Sequence, residues 1–273
     1  MKIISTPADL KEELRANTKT IGFVPTMGAL HEGHASLIKE ARKNNELVVV
    51  SIFVNPTQFL EGEDLSKYPR RDDADKKICE LSGVDILFFP HAKDIYSDDE
   101  VSVNAPNVRG YILEGCSRPG HFNGVLTVVN KLLNIVSPTN AYFGKKDAQQ
   151  LNLISLMVKQ LFMNVNIVAV DTKRDSDGLA MSSRNVYLSK DERVEALKIS
   201  KSLQVAFGMV NSGHLQTKEI IQKMKDTLSG LEIFYVAIVN RDFEEIQTMQ
   251  IRNTIILVEV KVGTTRLLDN IWL

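Results

Sequence analysis

The feature that most constrains the fold is a glycine-bearing turn between an apolar run and a helical run. Residues 25–34 have the sequence PTMGALHEGH, after the apolar run 21–24 and before the helix-like run 35–42. A strand, a turn and a helix start in this order direct free backbone N–H groups towards an anion, which the helix dipole also favours. His31 and His34 are three residues apart, so they share one face of the first helical turn. The stretch predicts a strand–turn–helix unit with a phosphate site at the turn.

Two better-known kinds of site fit this turn less well. Gly28 and Gly33 have the spacing of the phosphate loop of nucleotide hydrolases, but His34 and Ala35 stand where that loop needs lysine and a hydroxyl. A zinc site is disfavoured because no third ligand stands at metal-ligand spacing from the two histidines. The remaining alternative is that both histidines only cap the helix.

Strand-length apolar runs alternate with helical patterns through the first two-thirds of the chain. The predicted strands are 21–24, 47–54, 84–89, 141–143 and 165–170, and the predicted helices are 33–44, 72–81, 124–136 and 147–162. This alternation favours an α/β fold, a Rossmann-like parallel sheet with helices on both faces, in which ligands lie beyond the carboxyl ends of the strands.

The pattern changes after Arg184. Helices are predicted at 190–210 and 217–229, followed by strands at 234–240 and 254–262. This order is typical of a smaller α+β domain. We therefore expect a first domain over residues 1–173 and a second over 174–273.

Composition and charge exclude several classes of protein. The formal net charge of −1 provides no basic field for nucleic acid. The cluster at 67–75 mixes both signs and is expected to be a solvated loop and helix start. Two cysteines make no disulfide framework, the N-terminus lacks a secretory apolar region, and no apolar run reaches the ~20 residues of a membrane span. We expect a cytoplasmic protein without nucleic-acid or membrane partners.

Two polar loops follow predicted strands. Loop 55–59, NPTQF, offers neutral amides to a polar substrate, although an ordinary Asn-Pro turn explains it equally well. Loop 144–150, GKKDAQQ, places lysines beside a helix start that Asp147 can cap, and a capped helix with a solvated lysine is the alternative.

Two further loops carry cations. Loop 177–185, DGLAMSSRN, supplies hydroxyls and a guanidinium for phosphate oxygens, and Gly178 gives it freedom to close as a lid. On composition alone a domain linker explains it better. Loop 114–122, EGCSRPGHF, adds an arginine and a histidine, and the alternative is a turn built on Pro119-Gly120. Neither cysteine stands in a convincing nucleophile context.

In their order along the chain, the five segments resemble the motifs of the pantoate–β-alanine ligase (pantothenate synthetase) family; that order is 25–34, 55–59, 114–122, 144–150 and 177–185. The resemblance runs from about residue 20 to 190 and extends loosely beyond. It implies a Rossmann-like domain related to class I aminoacyl-tRNA synthetases and nucleotidylyltransferases, a small C-terminal lid domain, and a homodimer. The implied reaction joins (R)-pantoate and β-alanine to pantothenate using ATP and Mg²⁺, and releases AMP and diphosphate after a pantoyl-adenylate intermediate.

The resemblance also implies site residues. It assigns ATP binding to Met27, Gly28, Ala29, Leu30, His31, Glu32, Gly33, His34, Gly144, Lys145, Lys146, Asp147, Lys173, Met181, Ser182, Ser183 and Arg184. The catalytic set within it is His34 as proton donor with His31, Lys146, Ser182, Ser183 and Arg184. Lys173 matches a position that touches adenine through its backbone. Gln58 and Gln150 match pantoate ligands, and Gln58 also matches a β-alanine contact. Mg²⁺ is expected on ATP phosphates without protein ligands, and the motif register favours Lys146 over Lys145 as the phosphate lysine.

Three other functions compete with this one. A nucleotidylyltransferase would share the histidine motif, but the paired glutamines count against it. An aminoacyl-tRNA synthetase is disfavoured by length and near-neutral charge. A catalytically silent nucleotide-binding regulator would bind ATP without forming AMP in a β-alanine-dependent manner.

Overall fold

The computed structural model describes residues 1–273, which fold into two compact units. The first comprises Met1–Gly144 with Leu153–Asp171, and the second comprises Lys145–Asn152 with Thr172–Leu273. The segment Lys145–Asn152, expected in the first domain, thus packs with the second unit. No helix is both long and apolar enough to cross a membrane.

The first unit is built on parallel strands joined by helices. Its elements are β1 (Lys2–Ile4), α1 (Pro7–Arg15), β2 (Ile21–Thr26), α2 (Glu32–Asn44), β3 (Leu47–Ile52), α3 (Asp72–Leu81), β4 (Ile86–Phe88), α4 (Ala92–Ile95), α5 (Glu114–Ser117), α6 (His121–Val136), β5 (Asn140–Gly144) and β6 (Asn166–Val170). Helix α7 (Ala148–Gln160) begins in the second unit and ends in the first. Short 3₁₀ turns lie at Pro56–Gln58 and Asp64–Lys67.

All six strands are parallel, in the order β1-β4-β3-β2-β5-β6. The predicted Rossmann-like sheet is therefore confirmed. Strand β3 is buried along almost its whole length, as its continuous apolar run predicts. One face of the sheet packs on α2 and α3 through a cluster that includes Val24, Val50 and Ile38.

The order of the strands determines where a ligand can lie. The chain runs from β2 outwards to β3 and β4 on one side, whereas β5 and β6 lie on the other side. Strand β2 stands at this reversal, so the turn after it and the end of β5 share one edge of the sheet. Sheets of this kind bind ligands at such an edge.

The second unit is α+β, as predicted. It contains a 3₁₀ turn at Ser183–Tyr187, α8 (Lys190–Asn211), α9 (Thr217–Thr227), and an antiparallel sheet of β7 (Glu232–Asn240), β8 (Thr254–Val262) and β9 (Thr265–Trp272). Its core joins Ile199 and Leu203 of α8 and Ile220 of α9 to Ile256 and Val258 of β8. The unit therefore has an apolar core of its own.

Candidate active site

The turn after β2 has a strained backbone that a buried carboxylate holds in place. Gly28 and Ala29 have φ angles of +85° and +49°, and the second is unusual for a residue with a side chain. The N–H groups of Ala29 and Leu30 each donate to an oxygen of Asp75, both at 2.8 Å. Asp75 is 1% exposed. Its carboxylate accepts from two buried donors, one at each oxygen, and so fixes the turn before α2.

The expectation that all of segment 67–75 is solvated is wrong for Asp75. Burial raises the pKa of its carboxyl group, although the N–H groups of Leu30 and Ala29 act in the opposite direction. At Gly28 a Cβ atom would lie 3.0 Å from Asp75 Oδ2 and 3.1 Å from Ile52 Cγ2. Glycine is therefore required there both by the backbone angle and by the close approach of Asp75.

The two histidines cap α2 with one side of their rings. His31 Nδ1 accepts from the N–H of Gly33 at 3.1 Å, and His34 Nδ1 accepts from the N–H of His31 at 3.3 Å. The ring centroids are 4.1 Å apart. A neutral imidazole that accepts at Nδ1 carries its proton on Nε2. Capping and phosphate binding are thus compatible roles, since the same bonds orient both Nε2–H groups as donors.

Gln58 lies in contact with this turn. Its side chain is buried, with Nε2 3.0 Å from the sulfur of Met27 and Oε1 3.0 Å from Nδ2 of Asn55. Asn55 Oδ1 in turn accepts from the hydroxyl of Tyr96 at 2.7 Å. The first unit therefore brings the glutamine together with the residues before the two histidines, and Asn55 and Tyr96 orient its amide.

Within the second unit, β9 holds the segment that carries the two lysines. Asn270 Nδ2 donates to the carbonyl groups of Lys145 and Lys146, at 3.0 Å and 2.6 Å. The ammonium of Lys145 lies 5.9 Å from the centre of the Trp272 ring, whereas that of Lys146 is 3.1 Å from Asp147 Oδ1. Gln150 follows in the first turn of α7 and is half-buried. The two lysines thus have different surroundings.

The residues predicted at 173–184 form a closed turn in the same unit. The N–H of Met181 donates to the carbonyl of Lys173 at 3.0 Å, so these two predicted ATP-binding residues are neighbours. Ser182 caps the following 3₁₀ turn, accepting from the N–H of Arg184 at 3.3 Å. Gly178 has a φ of +93° at the tip of the turn.

Ion pairs fasten this turn to the rest of its unit. Arg174 donates to both carboxylate oxygens of Asp269, at 2.6 Å and 2.9 Å, and Asp269 is 2% exposed. Arg193 of α8 pairs with Asp175 and Asp177, each at 2.8 Å. Burial opposes ionisation of Asp177, but its bonds to Leu179 N–H and Arg193 leave its pKa below the usual value. The turn is therefore less free than Gly178 alone predicts.

The cysteines and the acidic side chains form no site of their own. Both cysteines are free, and burial raises the pKa of the Cys79 thiol to about 12, so it stays protonated at neutral pH. No group of three or more His, Cys, Asp or Glu side chains is placed to hold a metal ion.

Comparison with known proteins decides the family. The family model described as pantoate-beta-alanine ligase matches residues 2–272. The chain belongs to the pantoate–β-alanine ligase family. A pantothenate synthetase from Sulfurimonas denitrificans is 66% identical over 273 residues and one from Aliarcobacter butzleri is 55% identical over 273 residues, each with 100% of both chains covered.

Solved structures of the family share the fold. Pantothenate synthetase from Thermus thermophilus superimposes with a TM-score of 0.96 at 38% identity, covering 100% of this chain and 99% of that one. Pantoate-beta-alanine ligase from Francisella tularensis, complexed with beta-gamma ATP and beta-alanine, gives a TM-score of 0.84 at 39% identity, covering 100% and 97%. The predicted family, fold class and pantothenate-forming ligase reaction are thereby confirmed.

Proposed function

We propose that this chain activates (R)-pantoate with ATP as a pantoyl-adenylate and then transfers the pantoyl group to β-alanine. The observation that carries the proposal is the contact between Gln58 and Met27, beside two histidines that carry their protons on Nε2. Phosphate donors and a neutral amide thus converge on one edge of the sheet. The phosphate donors suit the triphosphate of ATP, and the amide suits the hydroxyl groups of a hydroxy acid.

The first step makes the pantoate carboxylate reactive. One carboxylate oxygen attacks the α-phosphorus of ATP, forming an O–P bond, while the bond from that phosphorus to diphosphate breaks with its electron pair. Negative charge grows on the α-phosphate and on the leaving diphosphate. Preorganised donors aimed at such charge lower the barrier. The donors are His31, His34, Lys146, Ser182, Ser183 and Arg184, with His34 as proton donor.

In the second step, the amine of β-alanine attacks the acyl carbon. A C–N bond forms, the bond from that carbon to the AMP oxygen breaks, and the amine loses one proton. AMP is a good leaving group, whereas oxide from a free carboxylate is not. Water must stay out meanwhile, because it would hydrolyse the adenylate. We expect the turn that carries Met181–Arg184 to stay with its own unit, since ion pairs bind it there.

The glutamines select the substrate. Pantoate presents hydroxyl groups and a carboxylate, which the amides of Gln58 and Gln150 can match as donors and acceptors. An analogue without these groups would leave a buried amide unpaired, which penalises its binding. We propose that Gln58 contacts both pantoate and β-alanine and that Gln150 contacts pantoate.

The proposed function also includes Mg²⁺, a homodimer and a division of roles between two domains. Without a carboxylate cage, Mg²⁺ would bind ATP phosphate oxygens and retain waters, which is its usual preference, and would neutralise charge there.

Family membership supports a cytoplasmic homodimer. In it, residues 1–173 form the nucleotide and pantoate domain, and residues 174–273 form the lid domain.

Product analysis tests the proposed function. We expect the chain, given ATP, Mg²⁺, pantoate and β-alanine, to form pantothenate, AMP and diphosphate in equal amounts by mass spectrometry. Diphosphate release without pantoate would favour a nucleotidylyltransferase acting on another acceptor. ATP binding without AMP formation would favour the regulator.

A further inference from the structure

Segment 114–122, expected as a loop, contains α5 and the start of α6. The reaction above does not use it, and together with Glu63 it forms a buried charged cluster around Gln58. The cluster, called here the arginine cluster, consists of Glu63, Glu114, Arg118 and His121. Arg118, Glu114 and His121 are 8%, 8% and 4% exposed. Burying charged groups is costly unless each is paired. The hydrogen bonds and ion pairs of these four side chains therefore identify the part of the backbone that the cluster holds in place.

Arg118 is the centre of the cluster. Its Nε and Nη2 donate to the two oxygens of Glu63 at 2.7 Å and 2.6 Å, and its Nη1 donates to Glu114 at 3.0 Å. Such a two-pronged contact fixes the plane of the guanidinium. Burial acts to raise the pKa of Glu63, but the hydrogen bonds from Arg118 and from the N–H of Leu60, with the charge of Arg118, leave that pKa below the usual value.

Arg118 also determines the protonation of His121. Nη1 of Arg118 lies 2.9 Å from His121 Nε2, and a guanidinium can only donate, so Nε2 accepts. The proton therefore sits on Nδ1, which donates to the main-chain carbonyl of Gln58 at 2.7 Å. Burial lowers the pKa of His121, and Arg118 acts in the same direction against the opposing Glu114 and Glu63. His121 is thus neutral in a single tautomer.

These bonds converge on the backbone of Gln58. Its carbonyl accepts a second bond from Arg118 Nη2 at 3.3 Å. Helix α6 also packs closely on the same backbone at Gly124. A Cβ atom on Gly124 would lie 2.3 Å from Thr57 O and 2.7 Å from Gln58 N. The backbone of the glutamine is therefore fixed from two directions before its side chain meets Asn55 and Met27.

We propose that Arg118 and His121 are positioning residues that orient Gln58 for pantoate. A glutamine whose carbonyl lost these donors could rotate within its 3₁₀ turn and carry its amide away from Asn55 and Met27. Pantoate binding then weakens, whereas the ATP contacts of the histidine turn persist. The inference rests on the proposed role of Gln58 in the pantoate site.

The first test is His121→Phe in the full chain. Phenylalanine keeps an aromatic ring beside Phe122, whose ring centre lies 5.0 Å away, but removes both hydrogen-bonding nitrogens. We expect the KM for pantoate to rise about tenfold, the effect of losing one hydrogen bond worth ~1.4 kcal/mol. The KM for ATP should stay within about twofold, because the histidine turn loses no hydrogen bond in this variant. Equal rises in both KM values would indicate a general structural role and overturn the proposal.

A double-mutant cycle shows whether the effect acts through Gln58. In a Gln58→Ala background, His121→Phe should change the KM for pantoate no further, because the amide it positions is absent. The same change in both backgrounds would overturn the positioning role alone. An unchanged KM for pantoate in Gln58→Ala by itself would instead refute the role of Gln58, and this inference with it.

Glu63→Gln is the second variant, for use if circular dichroism shows that His121→Phe does not fold. Glutamine keeps the shape and weakens the hold on Arg118. We expect a smaller rise in the KM for pantoate, again absent in the Gln58→Ala background, and no rise in a folded variant would contradict the proposal. His214→Phe, at an exposed histidine of the second unit, serves as the control and should leave both KM values unchanged.

Discussion

At the scale of single residues, His34 uses one ring nitrogen to cap α2, and the proposed proton donation falls to the other nitrogen. Nδ1 accepts from the N–H of His31, and Nε2 carries the proton. Substitution by alanine removes both, so it cannot separate capping from catalysis. Substitution by asparagine or by glutamine can separate the two roles. Asparagine places an acceptor near the position of Nδ1, whereas glutamine reaches the position of Nε2.

His34→Asn should therefore keep the helix cap but lower the rate of adenylate formation by about 10²–10³, the loss typical of one preorganised donor. His34→Gln retains a donor and should lose less. Pantoate-dependent diphosphate release in a single turnover measures both. Wild-type rates in His34→Asn would show that the histidine only caps the helix.

The neighbouring lysines form a matched pair. The motif register favours Lys146 as the phosphate lysine, and the structure gives the two side chains different surroundings: Lys145 lies near the ring of Trp272 and Lys146 lies beside Asp147. We expect Lys146→Ala to slow adenylate formation by about 10²-fold, as for one lost charge-stabilising donor. Lys145→Ala should have little effect on that step. The reverse ranking would assign the phosphate contact to Lys145.

At the scale of elements, α3 holds the turn between β2 and α2 through Asp75. In Asp75→Asn only one oxygen remains for two buried N–H groups, and one unmet donor costs about 1–3 kcal/mol. We expect the KM for ATP to rise about tenfold, in line with a loss at the lower end of that range. The variant should also unfold at a lower temperature.

Asp73→Asn is the matched control on the same helix, since the Asp73 side chain is fully exposed at 103%. It should leave both the KM for ATP and the melting temperature unchanged. If Asp75→Asn behaved like this control, the carboxylate would not be needed to hold the turn.

Some helices and strands can be predicted from the sequence and others cannot. Long periodic or continuously apolar segments were predicted well: α3 and β8 have the predicted bounds, and α6 begins at His121, three residues before the prediction. Strands β1 and β9 were missed. Strand β1 has only three residues, two of them exposed. Strand β9 carries Arg266 and Asp269, whose partners Glu259 and Arg174 come from elsewhere in the chain.

The residues of the candidate site also fall into two groups, those that the sequence identifies and those that only the fold identifies. The loop residues could be named from sequence because their order is specific to the family. Asp75, Tyr96 and Glu63 could not, because only the fold brings them to the turn, to Asn55 and to Arg118. The arginine and histidine of segment 114–122 are visible in the sequence, but their contacts with Gln58 are not. Local sequence marks Asp75 as one of several acidic residues at a helix start, and burial is what distinguishes it.

At the scale of the whole molecule, buried neutral His121 makes stability depend on pH. Its folded pKa lies below the ordinary value of 6.5, so the unfolded chain binds more protons as pH falls below 6.5. Stability therefore decreases there, with a slope of at most ~1.4 kcal/mol per pH unit for one proton. The lowered pKa of Glu63 adds a loss in the same direction only below its unfolded pKa of 4.5.

We expect urea unfolding to show a smaller loss of unfolding free energy between about pH 7 and pH 5 in His121→Phe than in the wild type. His214→Phe should follow the wild type. Parallel pH curves for wild type and His121→Phe would mean that His121 is not held neutral.

In the proposed first step, a pantoate carboxylate oxygen attacks the α-phosphorus of ATP. Pantoate labelled with ¹⁸O in its carboxylate makes this attack visible by mass spectrometry of the products. The adenylate route leaves one labelled oxygen in AMP and none in diphosphate, because the bond that later breaks joins the acyl carbon to that oxygen. AMP without label, formed together with pantothenate, would show that the carboxylate oxygen does not attack the α-phosphorus.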